Sequence, residues 1–350
     1  MQQIIKSNKI TDSLAAVLNN TTYDKLFVLT DENTERQCFP LISSIPEIEN
    51  AKRVVIPAND SNKSLENLAH VWKFLTSNGA TRHSLLINLG GGMITDLGGF
   101  AAATFKRGIA YINIPTTLLG AVDASVGGKT GINFSGYKNE IGAFYPALHI
   151  IISAEFLNTL TKKDILSGYA EMIKHGLLDS ETFWDKIINF NLETIDYSWL
   201  NELVLESVFI KQHIVEKDPF EKNIRKALNL GHTIGHAFES FALDNDAPVP
   251  HGYAVAWGLV AELYLSYKLC NFPKETLDIA TKYINHHYGA FSYSRKDYDT
   301  LYQLMIHDKK NVGDTINFTL LANIGDIKIN QTADRTLIEE ALDYLRQIEE

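Results

Sequence analysis

Four short runs of apolar, largely β-branched residues punctuate the first 150 positions, at 26–29, 53–56, 85–89 and 111–114, with helical patterns between them. This alternation is what most restricts the fold. A strand, a helix and a second strand return the chain in the same direction, so repeated units build a parallel sheet covered by helices. Between the second and third runs, residues 64–76 form an amphipathic stretch with Ser64 as N-cap and Asn78-Gly79 as its stop. Residues 149–153 read as a last strand before the pattern changes.

From about residue 162 helical periods dominate. Residues 165–178, 200–216, 224–243, 253–270 and 337–347 read as helices, with 316–321 as a strand-like exception. A chain of 350 residues exceeds the usual compact domain. The expectation is an α/β domain with a Rossmann-like parallel sheet over 1–160 and a mainly α-helical domain over 161–350. The cleft between them is the default active site.

The net charge of −10 argues against nucleic acid or an anionic membrane as partner, so an anionic substrate must find a local basic pocket. Residues 1–13 lack the apolar core of a signal peptide, and no apolar run reaches the roughly 18 residues of a membrane span. Cys38 and Cys270 lie far apart without metal-ligand spacing, which fits a reduced, cytoplasmic protein.

Gly90-Gly91-Gly92 follows the third run and opens the segment 93–105. Glycines let a ligand approach the backbone, and a helix N-terminus favours anions, so a dinucleotide pyrophosphate suits this place as well as a plain tight turn does. Gly127-Gly128-Lys129-Thr130 ends like a P-loop, but Asp123 stands where the first glycine is needed. What remains reads as a glycine-rich loop carrying Asp123 and Lys129, followed by Lys138 and Asn139. It is either a polyol-binding or a solvated segment.

Arg225, Asn229, His232 and His236 fall at steps of four, three and four, which places them on one narrow stripe of a helix whose other faces are apolar or small. A buried arginine requires an anion. Gly231 and Gly235 each cost about 1 kcal/mol relative to alanine inside a helix, which points to a close approach there. His232 and His236 have the spacing of a metal-binding pair, and His251, after Pro250, is a further candidate. Glu171 with His175 has the same spacing, and Glu171 with Lys174 could form an ordinary surface ion pair. Spacing leaves these sets open.

Read together, GGGMITDLGGFAAATFKRG, IPTTLLGAVDASVGGKTGIN, KNEIGAF, GYAEMIKHG, RKALNLGHTIGHAFE and the His251-Gly252 pair resemble the 3-dehydroquinate synthase family in order and spacing. The resemblance runs from about residue 56 to 325. It implies a lyase of the shikimate pathway, which makes aromatic amino acids. The enzyme would convert 3-deoxy-D-arabino-heptulosonate 7-phosphate to 3-dehydroquinate and phosphate through transient NAD oxidation, elimination, reduction, ring opening and aldol closure.

The resemblance also implies roles. Glu171, His232 and His251 would hold zinc or cobalt, which makes His236 a substrate contact. NAD would lie along Asp60, Lys63, Gly90, Gly91, Gly92, Asp96, Thr116, Thr117, Lys129, Lys138 and Thr159. Substrate would meet Arg107, Asp123, Lys129, Asn139, Lys174, Lys211, Arg225, Asn229 and His236. A cytoplasmic homodimer acting on a small phosphorylated sugar acid is expected. Three positions depart from the family pattern: Asp60 replaces a glutamate, Tyr137 a glycine, and Asn317 a basic residue for which Lys309 or Lys310 would compensate. Other sugar phosphate cyclases share the fold and cofactors, but Arg225, Asn229 and His236 favour a carboxylate-bearing substrate. Metal-dependent polyol or glycerol-phosphate dehydrogenases usually carry aspartate where Glu171 stands, and they release NADH.

Overall fold

The computed structural model describes residues 2–135, 137–306 and 315–346. Its strands begin with β1 (Gln3–Ser7), β2 (Leu26–Asp31), β3 (Lys52–Ile56), β4 (Leu85–Gly90) and β5 (Ala110–Pro115). A hairpin of β6 (Lys129–Phe134) and β7 (Tyr137–Phe144) follows, then β8 (His149–Ser153). Six of these form one sheet in the order β1-β8-β5-β4-β2-β3, every pair parallel. β2 and β4 are buried at every position, as parallel strands covered on both faces must be. On one face Ile10, Leu14 and Leu18 of the Ile10–Asn19 helix pack with Val28, Ile87, Ile112 and Ile151. Each such side chain contributes roughly 1.5–3 kcal/mol on burial. The register pairs Gly90 with Pro115, so β4 and β5 end side by side.

The chain divides into two compact units: Met1–Ile165 with Glu193–Gln212, and Leu166–Leu192 with His213–Glu350. The division is therefore not the single cut at 160/161 drawn from the sequence. The stretch Glu193–Gln212, which includes Lys211, belongs with the sheet. The second unit carries the helices Glu181–Ile188, His232–Asp244, His251–Cys270, Lys274–Tyr288, Tyr298–Ile306 and Arg335–Arg346, and an antiparallel pair, β9 (Phe318–Asn323) and β10 (Asp326–Gln331). Among the described residues no helix is long and apolar enough to cross a membrane.

Two local expectations are corrected. The glycine-rich loop is a hairpin: Lys129 opens β6, while Lys138 and Asn139 lie on β7. A Cβ on Gly131 would lie 2.7 Å from the Ile141 carbonyl oxygen, so this glycine serves the close pairing of the two strands. The helix over 224–243 is broken at its centre. A 3₁₀ turn, Ile224–Asn229, ends before Gly231, whose φ of 78° is left-handed, and the α-helix begins at His232. Right-handed helix cannot run through that conformation, so Arg225 and Asn229 do not share a helical stripe with His232 and His236.

Candidate functional site

In the second unit, the Lys162–Asp179 helix presents Glu171, Lys174 and His175, all fully buried. Three residues apart on one helix, Glu171 and Lys174 form an ion pair. A buried pair is a different object from the solvated one considered from the sequence, because neither charge is screened by water. The Lys174 ammonium also donates to the Leu228 carbonyl at 2.9 Å, tying this helix to the 3₁₀ turn.

The Nε2 atoms of His232 and His251 stand 3.4 and 3.5 Å from Glu171 Oε1. One ligand-type atom from each of the three residues lies within 4.8 Å of the others. His236 is adjacent, its ring centroid 5.3 Å from that of His232 and 6.0 Å from that of His251.

Backbone packing sets this spacing. The N–H of Gly252 donates to Ser167 Oγ at 3.2 Å, and a Cβ at 252 would lie 2.7 Å from Ser167 Cα. The helix that begins at His251 thus starts against the turn that precedes Glu171. Gly231 has no side chain with which to cap the His232 helix. Instead Glu262, fully buried on the His251–Cys270 helix, accepts the N–H of Gly231 at 2.6 Å and of Ile234 at 3.1 Å. At Gly235 a Cβ would lie 2.9 Å from the Ala254 carbonyl oxygen, so the close approach read from the two glycines is to the neighbouring helix.

The three donors fit a divalent metal. His232 Nδ1 faces the Leu230 carbonyl at 3.0 Å and His251 Nδ1 faces Glu239 Oε2 at 3.2 Å, which leaves both Nε2 atoms turned toward Glu171. Burial, helped by the Lys174 ammonium, lowers His232 to about 3, so its imidazole is neutral, as a ligand must be. Burial alone would lower His251 as well, but hydrogen bonds to Glu171 and Glu239 overcome it and raise this histidine to about 10. Burial likewise opposes ionisation of Glu171, yet Lys174 and His232 hold it well below the usual carboxylate range.

Arg225 is buried, and the turn that carries it is held through its main chain. Asp218 accepts the N–H of Arg225 at 3.1 Å and of Asn223 at 2.6 Å, while the guanidinium donates to the Pro219 carbonyl at 2.5 Å. Asn229 donates to Glu221 at 3.0 Å. Asn317 donates to Asn330 at 3.4 Å, and Lys226 reaches the same oxygen at 2.9 Å. Lys309 and Lys310 lie outside the described residues.

In the first unit, Gly90 and Gly91 lead from β4 into the Gly92–Thr104 helix. The Thr116 N–H donates to the Gly90 carbonyl at 3.0 Å. A Cβ on Gly91 would lie 3.0 Å from the Thr117 methyl. Thr116 and Thr159 lie near the buried Cys38 thiol, which burial pushes up to about 11. Lys63 is buried between Asp96 at 3.1 Å and Asp60 at 3.5 Å, and Lys138 approaches Asp60 at 4.0 Å. Burial raises the Asp96 carboxyl to about 6 although Lys63 opposes the shift.

Asn133 joins the hairpin to this turn, its N–H donating to the Lys63 carbonyl at 2.7 Å. Its side-chain oxygen accepts the N–H of Asn139 at 3.0 Å. Asp123 pairs with Lys211. Lys129 is exposed at the start of β6. Arg107 stands apart from the glycine triplet. It is exposed on the turn before β5, at the end of the strands opposite to Gly90.

Two family models match the chain, 3-dehydroquinate synthase N-terminal over residues 53–167 and 3-dehydroquinate synthase C-terminal over residues 168–311. The chain belongs to the 3-dehydroquinate synthase family. A 3-dehydroquinate synthase of Parabacteroides distasonis is 55% identical over 99% of this chain and 98% of the relative. Another, from Oceanobacillus iheyensis, is 38% identical over 93% and 90%. Among solved structures, a 2-epi-5-epi-valiolone synthase from Streptomyces hygroscopicus with NAD+ and Zn2+ bound superposes with a TM-score of 0.88 at 22% identity, covering 99% and 97% of the two chains. A 2-deoxy-scyllo-inosose synthase complexed with carbaglucose-6-phosphate, NAD+ and Co2+ gives 0.84 at 22% identity over 97% and 96%. At that identity these two structures speak for the fold that this member of the 3-dehydroquinate synthase family shares with them.

Three further residues of the geometry were not singled out from the sequence. Glu239 carried a signal, since it follows His232 by seven residues and His236 by three and so shares their helical face. Glu262 and Asp218 act on backbone N–H groups of other segments, and no spacing announces that.

Proposed function

We propose that the chain converts 3-deoxy-D-arabino-heptulosonate 7-phosphate to 3-dehydroquinate and phosphate with catalytic, unconsumed NAD and one divalent metal ion. The observation that carries this reading is the buried Glu171–His232–His251 cluster beside Lys174, in a chain 55% identical to a 3-dehydroquinate synthase along nearly its whole length. When bound, the metal would polarise a substrate hydroxyl and NAD would take up a hydride and later return it.

The chain's own residues position and balance charge. Glu171, His232 and His251 would hold the metal. Lys174, fixed by the Leu228 carbonyl, keeps Glu171 ionised and sets a buried cation beside the ligand cluster. Arg225, Asn229 and His236 in the same unit are proposed substrate contacts. Asp123, Lys129, Asn139, Lys211 and Arg107 are proposed substrate contacts from the first unit. NAD is proposed along Asp60, Lys63, Gly90 to Gly92, Asp96, Thr116, Thr117, Lys129, Lys138 and Thr159, with the pyrophosphate at the start of the Gly92–Thr104 helix. Holding a flexible intermediate in one geometry is worth about 7–11 kcal/mol in favourable intramolecular reactions, which suits a site built on packed main chain. A cytoplasmic homodimer belongs to the same reading.

The test is phosphate release from that substrate with NAD and zinc or cobalt, with NADH followed in parallel. Stoichiometric phosphate without NADH accumulation is expected. Net NADH production, or no phosphate from protein loaded with metal and NAD, would overturn the assignment.

A further inference from the structure

The His232–Asp244 helix carries a third polar side chain on the face of His232 and His236. Glu239 Oε2 lies 3.2 Å from His251 Nδ1, and the two side chains are 15% and 26% exposed. On the other side of the same ring, His251 Nε2 faces Glu171 Oε1 at 3.5 Å. One imidazole therefore sits between two carboxylates, one in the ligand cluster and one behind it. Because Glu239 addresses the nitrogen that does not face Glu171, it backs the ligand and does not join the ligand set. His232 is held differently, by the Leu230 carbonyl at 3.0 Å.

We propose that Glu239 is a positioning residue for the metal site. It accepts the Nδ1–H of His251, fixes the tautomer that leaves Nε2 free, holds the ring orientation and strengthens Nε2 as a donor. His251 needs this more than His232 does. Both ligands open their helices, but the His251 side chain is 26% exposed against 11% for His232. The proposal rests on the metal assignment made above.

The experiment is zinc affinity by chelator competition on the full chain, wild type against Glu239→Gln, Glu239→Leu and His251→Ala, together with the visible spectrum of the cobalt-loaded forms. Expected are about tenfold weaker binding for Glu239→Gln, which keeps an acceptor, and about 100-fold for Glu239→Leu, with altered cobalt bands in both. Wild-type affinity and an unchanged cobalt spectrum in the Glu239 variants, with binding lost in His251→Ala, would overturn the positioning role alone. Equal affinity in wild type and His251→Ala would overturn the metal assignment itself. Should Glu239→Leu fail to fold, the nearly isosteric Glu239→Gln decides.

Discussion

Glu262 accepts the N–H of Gly231 at 2.6 Å, so a carboxylate on one helix caps the N-terminus of its neighbour. The negative charge also meets the positive end of the His232 helix dipole. A glutamine in its place would turn an amide N–H₂ toward a backbone donor. Glu262→Gln is expected to lose about 2–3 kcal/mol in denaturant unfolding, and to weaken metal binding through His232. Unchanged unfolding would show that the cap contributes little.

The two histidines nearest His232 are expected to separate by function. His251→Ala should lose bound metal and turnover together in a folded protein, whereas His236→Ala should keep the metal and turn over slowly. Metal content by mass spectrometry, read beside circular dichroism, distinguishes them. Full occupancy in His251→Ala would remove it from the ligand set.

Lys174→Met would leave Glu171 fully buried beside two histidine rings and no ammonium. Breaking a buried ion pair typically costs about 3–5 kcal/mol. A bound divalent cation supplies the missing charge, so the loss should be large in metal-free protein and much smaller with zinc. Thermal unfolding with and without zinc checks this, and equal losses in both states would count against the arrangement.

Asp343 on the Arg335–Arg346 helix accepts from Arg295 at 2.7 and 3.0 Å and from Tyr298 at 2.8 Å. The Arg295 bond comes first among the causes that hold this carboxyl below its ordinary value. A depressed folded pKa stabilises above the unfolded value of 3.8, and the benefit is lost as pH falls through the lower folded one. With Arg295 largely exposed, the contribution is about 1 kcal/mol or less. Asp343→Asn should therefore cost about that much at pH 7 and nothing near pH 2, measured by urea unfolding.

The strands of the buried sheet were legible because a parallel strand covered on both faces must be an unbroken apolar run, and β2, β4 and β8 are such runs. Strand β1, at the edge of the sheet, mixes Gln3 and Lys6 with two isoleucines and gave no comparable pattern. Exposed along nearly its whole length, β7 has no inward face to alternate with. At 225–236 the steps of four, three and four suggested one helix, but a single left-handed residue, Gly231, resets the phase. Steps along one segment also favoured His236 over His251. His251 was a candidate by its place after Pro250, but no spacing could tie it to Glu171, because the two meet through contact between helices distant in sequence. There the family motifs supplied what periodicity could not.

The contact of Gly252 with Ser167 has a bearing on ion choice. It fixes how closely the backbones that carry Glu171 and His251 approach, since a side chain at 252 would run into the Ser167 main chain. Selection then falls to donor hardness: two imidazoles beside a single carboxylate favour borderline ions such as zinc and cobalt over magnesium and calcium, which prefer all-oxygen surroundings.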